Sequence, residues 1–119
     1  MKIDLTPGVV DLVLYAGDVG AVIIEAVDDN DTPVDLSAWT GWIAQWRAKP
    51  KATDAIDLTV DATDAADGLL TVLFTAAATA AFRPTGVWDI EGLTPGGDPH
   101  TVVHGAVETD QDVSRRSAP

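Results

Sequence analysis

Two histidines, an acidic turn and three serines are the residues with which this sequence could do chemistry. His100 and His104 lie four positions apart. On one strand they would share a face but stand roughly 13 Å apart at about 3.3 Å per residue, too far for one metal ion. The turn Asp28-Asp29-Asn30-Asp31 offers the oxygen ligands that calcium takes. An EF-hand loop, however, needs glycine at its sixth position and a bidentate glutamate at its twelfth. Counted from Asp28 the sixth residue is Pro33, and from Asp29 it is Val34; neither register supplies the glutamate. A solvated β-turn is the expectation there. Ser37, Ser114 and Ser117 are the serines, and none sits in a nucleophile elbow. Gly96-Gly97 belongs to a turn, because no helix opens after it as a phosphate cradle requires. With sixteen aspartates, carboxylate pairs are too common to single one out. Cysteine is absent, which removes thiol catalysis, disulfides and thiolate zinc sites together. The expectation is a protein with no enzymatic activity, no cofactor and no metal.

A second set of residues is suited to touching another protein. Trp39 falls before a strand, in a loop-like segment. Core packing is its ordinary fate, and an interface anchor or sugar-stacking platform is the alternative. Arg47, Lys49 and Lys51 are three of the seven bases. In an extended chain their spacing of two would put them on one face, as an edge that deters aggregation or a patch that docks on an acidic surface. Arg115 and Arg116 could act in the same way from the C-terminal end.

Charge narrows the partners. Nineteen acids against seven bases give a net charge of −12, which argues against nucleic acid or an anionic membrane, since both call for clustered lysine and arginine. No apolar run approaches the roughly 20 residues that span a bilayer. Residues 1–5 lack an apolar segment of the secretory type, so no signal peptide is expected. At 119 residues and 46% apolar content the chain suffices for one domain with its own core.

The elements that must position these residues read as strands. Sixteen of the nineteen acids are Asp, which favours turns and strand ends where Glu favours helices. Apolar residues recur with period two, in runs rich in Val, Thr, Ile and Trp. Seven strands are predicted, at 9–15, 19–27, 40–48, 56–61, 69–74, 87–93 and 101–108. Trp42, Ala44, Trp46, Trp88 and Ile90 should point inward. Asp67-Gly68 marks a turn, Pro50 ends the third strand and residues 94–99 form a loop. Thr75 is a good N-cap for a helical turn at 76–82, too short to stand alone, that crosses between sheet edges and sets Phe82 in the core. Short strands at this spacing predict an all-β, antiparallel immunoglobulin-like sandwich over residues 9–109. Residues 1–8 and 110–119 lie outside the pattern, as N- and C-terminal arms suited to contacts in an assembly.

The order of the segments carries a resemblance. Thr32-Pro33-Val34-Asp35-Leu36-Ser37-Ala38-Trp39-Thr40 leads into a strand ending Gln45-Trp46-Arg47. Asp67-Gly68-Leu69-Leu70-Thr71-Val72 and Thr75-Ala76-Ala77-Ala78-Thr79-Ala80-Ala81-Phe82 follow, then Gly86-Val87-Trp88-Asp89-Ile90-Glu91. The chain closes with Gly105-Ala106-Val107-Glu108 and Asp112-Val113-Ser114-Arg115. Over roughly residues 9–115 this resembles the small immunoglobulin-like β-sandwich virion proteins of tailed bacteriophages. These occur as head decoration proteins and as the N-terminal domain of baseplate upper proteins. Trp88 stands where the family usually has tyrosine. The motifs are structural punctuation, and no catalytic or ligand residue carries over.

The resemblance implies a virion structural protein, assembled in the host cytoplasm. Its first form is a capsid decoration protein that binds the outside of the head and reinforces it by non-covalent contacts. The partner would then be the major capsid protein or another virion protein, with self-association, a trimer among the arrangements. A minor tail, baseplate or head–tail joining component is the alternative. A carbohydrate- or host-surface-binding module, using Trp39 and the loop at 94–99, is a further one. Abundant Ala, Val, Asp and Thr with little Lys suggests a high-GC host such as an actinobacterium.

Overall fold

Alternation of apolar and polar residues builds the sheets, and the computed structural model, which describes residues 8–110, is an antiparallel immunoglobulin-like β-sandwich. Its strands are β1 (Gly8–Val9), β2 (Leu12–Tyr15), β3 (Gly20–Glu25), β4 (Thr40–Arg47), β5 (Ile56–Asp61), β6 (Leu69–Phe74), β7 (Thr85–Leu93) and β8 (Pro99–Asp110). A 3-10 turn, Ala65–Asp67, precedes β6, and helix α1 (Ala76–Ala81) follows it. The strand order is β1-β8-β7-β4-β5-β6-β3, with β2 beside β1 along the same edge of β8. β1 and β2 run parallel to β8, and every other pairing is antiparallel.

β5 joins the two layers. Its first half, Ile56 to Leu58, pairs with β4, and its second half, Thr59 to Asp61, pairs with β6. The sandwich is therefore closed along β5. On the opposite side the free edges of β1 and β2 in one layer and of β3 in the other are unpaired among the described residues.

The core fills the space between the layers. Trp46 stacks on Phe82 with ring centroids 4.7 Å apart. Phe74 meets Phe82 edge-on at 6.4 Å and tilts against Trp88 at 6.3 Å. Glycine makes room for the indoles: a Cβ on Gly86 would overlap the Trp46 ring, and one on Gly92 would lie 2.6 Å from that of Trp42. Helix α1 begins as expected at Thr75, whose hydroxyl accepts from Ala78 N–H at 3.1 Å. Buried Thr79 then ties the helix to the β2–β3 turn. Its Oγ1 accepts from Gly17 N–H at 3.0 Å and donates to the Asp18 carbonyl at 2.8 Å.

The strand expected at 9–15 is two strands, because the chain breaks step at Val10-Asp11. Gly105 is the cause. The Val10 carbonyl lies over the bare face of Gly105, where a Cβ would overlap it. Trp88 Nε1 donates to that carbonyl at 2.7 Å. Asp11 Oδ1 accepts Ala106 N–H at 2.9 Å, a rung the backbone would otherwise make. Two side chains thus replace main-chain pairing, and the register resumes unshifted in β2. Of the expected arms, Gly8 and Asp110 are strand residues; the other residues of both arms lie outside the described residues.

Candidate protein-contact site

Trp39 belongs to the core. It is 7% exposed, stacks on Trp42 at 5.7 Å with the rings 7° from parallel, and meets His100 edge-on at 6.1 Å. The segment before β4 looks like a loop in composition but threads across the end of the sandwich. Backbone bonds from Val34 to Ala26 and from Leu36 to Ala65 hold it there at 2.9 and 2.8 Å, and Val34, Leu36 and Trp39 are buried by it. Trp39 is therefore neither an exposed anchor nor a sugar platform.

The expected face of Arg47, Lys49 and Lys51 does not form. β4 stops at Arg47, and the chain turns at once, with Ala52 N–H donating to the Lys49 carbonyl at 3.0 Å. Arg47 is half-buried and occupied. Its Nη1 donates to the Ala52 carbonyl, and its Nη2 donates to Gln45 Oε1 at 3.0 Å. It pins the β4–β5 turn, while Lys49 and Lys51 stay exposed on that turn. Arg115 and Arg116 lie outside the described residues.

The histidines face opposite ways, contrary to the expectation of a shared face. Ile90 pairs with Val103 but Glu91 pairs with Thr101, so Val102 is an extra residue in β8. One inserted residue reverses the side-chain parity of the strand. His100 consequently turns inward to Trp39, and His104 turns outward. The acidic turn is a closed hydrogen-bonded loop, with Asp28 Oδ1 accepting from Asn30 N–H at 2.8 Å and Thr32 N–H at 3.0 Å. Among the described residues no group of three or more His, Asp or Glu side chains is placed to hold a metal ion.

A polar row on the outer face of the larger layer was not singled out from the sequence. Cross-strand pairing aligns Asp57, Gln45, Asp89, His104 and Val9 on β5, β4, β7, β8 and β1. Gln45 Nε2 donates to Asp57 Oδ1 at 2.8 Å. The Asp89 carboxyl is raised above its usual 3.8, first by burial and then by the charge of Glu91, against the opposing pull of Arg47 and His104. A groove of about 430 Å³ opens here, between Val9, Asp11, Gln45, Pro50, Val87 and His104 among others. Their juxtaposition depends on pairings between strands distant in sequence, which alternation within one strand does not show.

The open side of the sandwich is the second feature. Val13 and Tyr15 on β2, Ile23 on β3 and Val19 in the turn between them are each at least 55% exposed. Further along, near β1, the two layers part into an apolar groove of about 320 Å³. Such a combination of unpaired main chain and exposed apolar side chains is how strand edges take partners.

No protein-family model matches the sequence, and no curated protein does. Among solved structures the chain is similar to a mutant of the SrpA adhesin from Streptococcus sanguinis. The sequence identity is 13% and the TM-score 0.48, over 85% of this chain and 55% of the adhesin chain. This chain thus spans little more than half the length of that one.

Proposed function

We propose that the chain is a structural protein of a tailed-bacteriophage particle, and specifically a head decoration protein that acts by contact. The observation that carries this reading is the open side of the sandwich, where Val13, Tyr15, Val19 and Ile23 border two unpaired strand edges. The order of sequence motifs shared with small virion sandwich proteins supplies the particle. Burying those side chains against a neighbour contributes about 25 cal/mol per Å² of apolar surface, and main-chain pairing along an edge fixes orientation. One small site repeated over a shell then reinforces it through copy number. A net charge of −12 keeps copies apart before assembly and favours a partner surface of the opposite sign.

Quantitative mass spectrometry of purified particles tests this. Copy numbers in the hundreds, on the order of the capsid protein, are the expected result. A handful of copies would transfer the domain to the tail, baseplate or head–tail joint. Absence from the particles would overturn the virion reading. The carbohydrate-binding reading lost its main residue when Trp39 proved to be buried.

A further inference from the structure

We propose that the groove on the outer face of the larger layer receives an arginine side chain from a partner protein, with Asp89 as its counter-ion. Asp89 lies mid-strand in β7, between Gln45 on β4 and His104 on β8, and all three line the groove of about 430 Å³. Burial and the charge of Glu91 both oppose its ionisation. Among the described residues no group donates a hydrogen bond to it, and only the charges of Arg47 and His104 act in its favour. Arg47 is committed elsewhere, to the Ala52 carbonyl and to Gln45 Oε1. The acids to either side do have donors: Asp11 accepts Ala106 N–H at 2.9 Å, and Asp57 accepts Gln45 Nε2 at 2.8 Å. A half-buried carboxylate without a donor is costly, and a cation that carries its own N–H groups relieves it.

The groove suits arginine in its walls, its acceptors and its charge. Val9, Pro50 and Val87 offer apolar surface, along which the aliphatic stem of a long basic side chain packs while its charged head reaches inward. Acceptors stand on both sides of the carboxylate: a second lone pair on Gln45 Oε1 and, when His104 is neutral, one ring nitrogen. Adjacent strands are about 4.8 Å apart, a spread that the planar five-donor fork of a guanidinium matches better than a compact ammonium. The chain carries a net charge of −12, which draws a cation in. Among the described residues no group of three or more His, Asp or Glu side chains is placed to hold a metal ion instead. The surface is separate from the open side, so the particle reading and this one can fail independently.

Titrating the isotope-labelled full chain with N-acetyl-arginine amide, at neutral pH and constant ionic strength, tests it by magnetic resonance. Amide resonances should change saturably at Gln45, Val87, Asp89 and His104, with a dissociation constant on the order of millimolar for a single side chain. With the probe present, the carboxyl titration of Asp89 should move down toward its ordinary 3.8, because a bound cation favours the charged form. N-acetyl-citrulline amide keeps the shape and loses the charge. It should bind at least about tenfold more weakly, and so should the arginine probe to an Asp89→Asn variant. N-acetyl-lysine amide should also bind more weakly. Asp89→Asn adds no bulk, and resonances unchanged away from the groove separate lost binding from lost structure. Four results would each overturn the proposal. These are changes spread evenly over the acidic surface, equal binding by the citrulline or lysine amide, binding that survives Asp89→Asn, and no saturable change at about ten times the millimolar level.

Discussion

Replacing Gly105 with alanine should destabilise the sandwich by about 2–6 kcal/mol. The added Cβ would overlap the Val10 carbonyl oxygen and lie 2.6 Å from the Val10 carbonyl carbon, so the β1–β2 segment must move outward. Forcing a methyl group into a packed site costs about 1–3 kcal/mol. The movement also breaks the 2.7 Å bond from Trp88 Nε1 to Val10, and Trp88 is only 2% exposed. A buried donor left without its acceptor costs about 1–3 kcal/mol more. Native domains are stable by about 5–15 kcal/mol, so the upper end approaches global unfolding. Urea denaturation followed by tryptophan fluorescence reads the loss, with Gly96→Ala as control. A Cβ at Gly96 meets nothing closer than 3.8 Å, and that variant should stay within about 0.5 kcal/mol of the parent, as surface changes do. If Gly105→Ala is equally silent, Val10 does not cross over Gly105 and the account of the strand break is wrong.

Other substitutions probe other joints. Thr79→Val leaves Gly17 N–H and the Asp18 carbonyl without their shared hydroxyl and should cost about 1–3 kcal/mol by calorimetry; Thr79→Ser should restore most of it. Trp46 Nε1 is buried with no partner among the described residues, so Trp46→Phe deletes a donor that none of them accepts, whereas Trp88→Phe strands the Val10 carbonyl. The second should cost more than the first by about 1–3 kcal/mol, and equal losses would contradict the assignment of the two indoles. Asp89 has its pKa raised above 3.8, so the folded chain holds that proton more tightly than the unfolded chain. The stability linked to it is full below 3.8 and is lost as pH rises through the folded value. Asp89→Asn should therefore raise the Tm near neutral pH, with the gain fading toward about pH 3. A gain of the same size at both would show that burial of the charge is not the cause.

The parts of the fold readable from sequence are those decided locally. Ile56–Asp61, Leu69–Phe74 and Ala76–Ala81 fall where alternation, Asp67-Gly68 and Thr75 place them. The inward set Trp42, Ala44, Trp46, Trp88 and Ile90 follows from period two alone. What escaped depends on contacts between distant segments. The bulge at Val102 that separates His100 from His104 arises in the β7–β8 pairing and leaves no turn residue as a marker. The break at Val10-Asp11 is caused by Gly105, ninety-odd residues away. Trp39 is buried because its loop crosses the end of the sandwich, and composition describes the loop without showing its path. Arg47 was grouped with Lys49 and Lys51 by spacing, but the early turn after β4 gives its guanidinium backbone carbonyls to hold. The polar row around Asp89 likewise needed the strand order, since its members come from five strands.

The central claim is that this sandwich works by contact on the outside of a virion head. Labelling intact virions with an antibody to this domain, viewed by electron microscopy, tests it most directly. Label distributed over the head is the predicted result. Label confined to the neck or tail tip would contradict the decoration role, and particles without label would contradict the claim altogether.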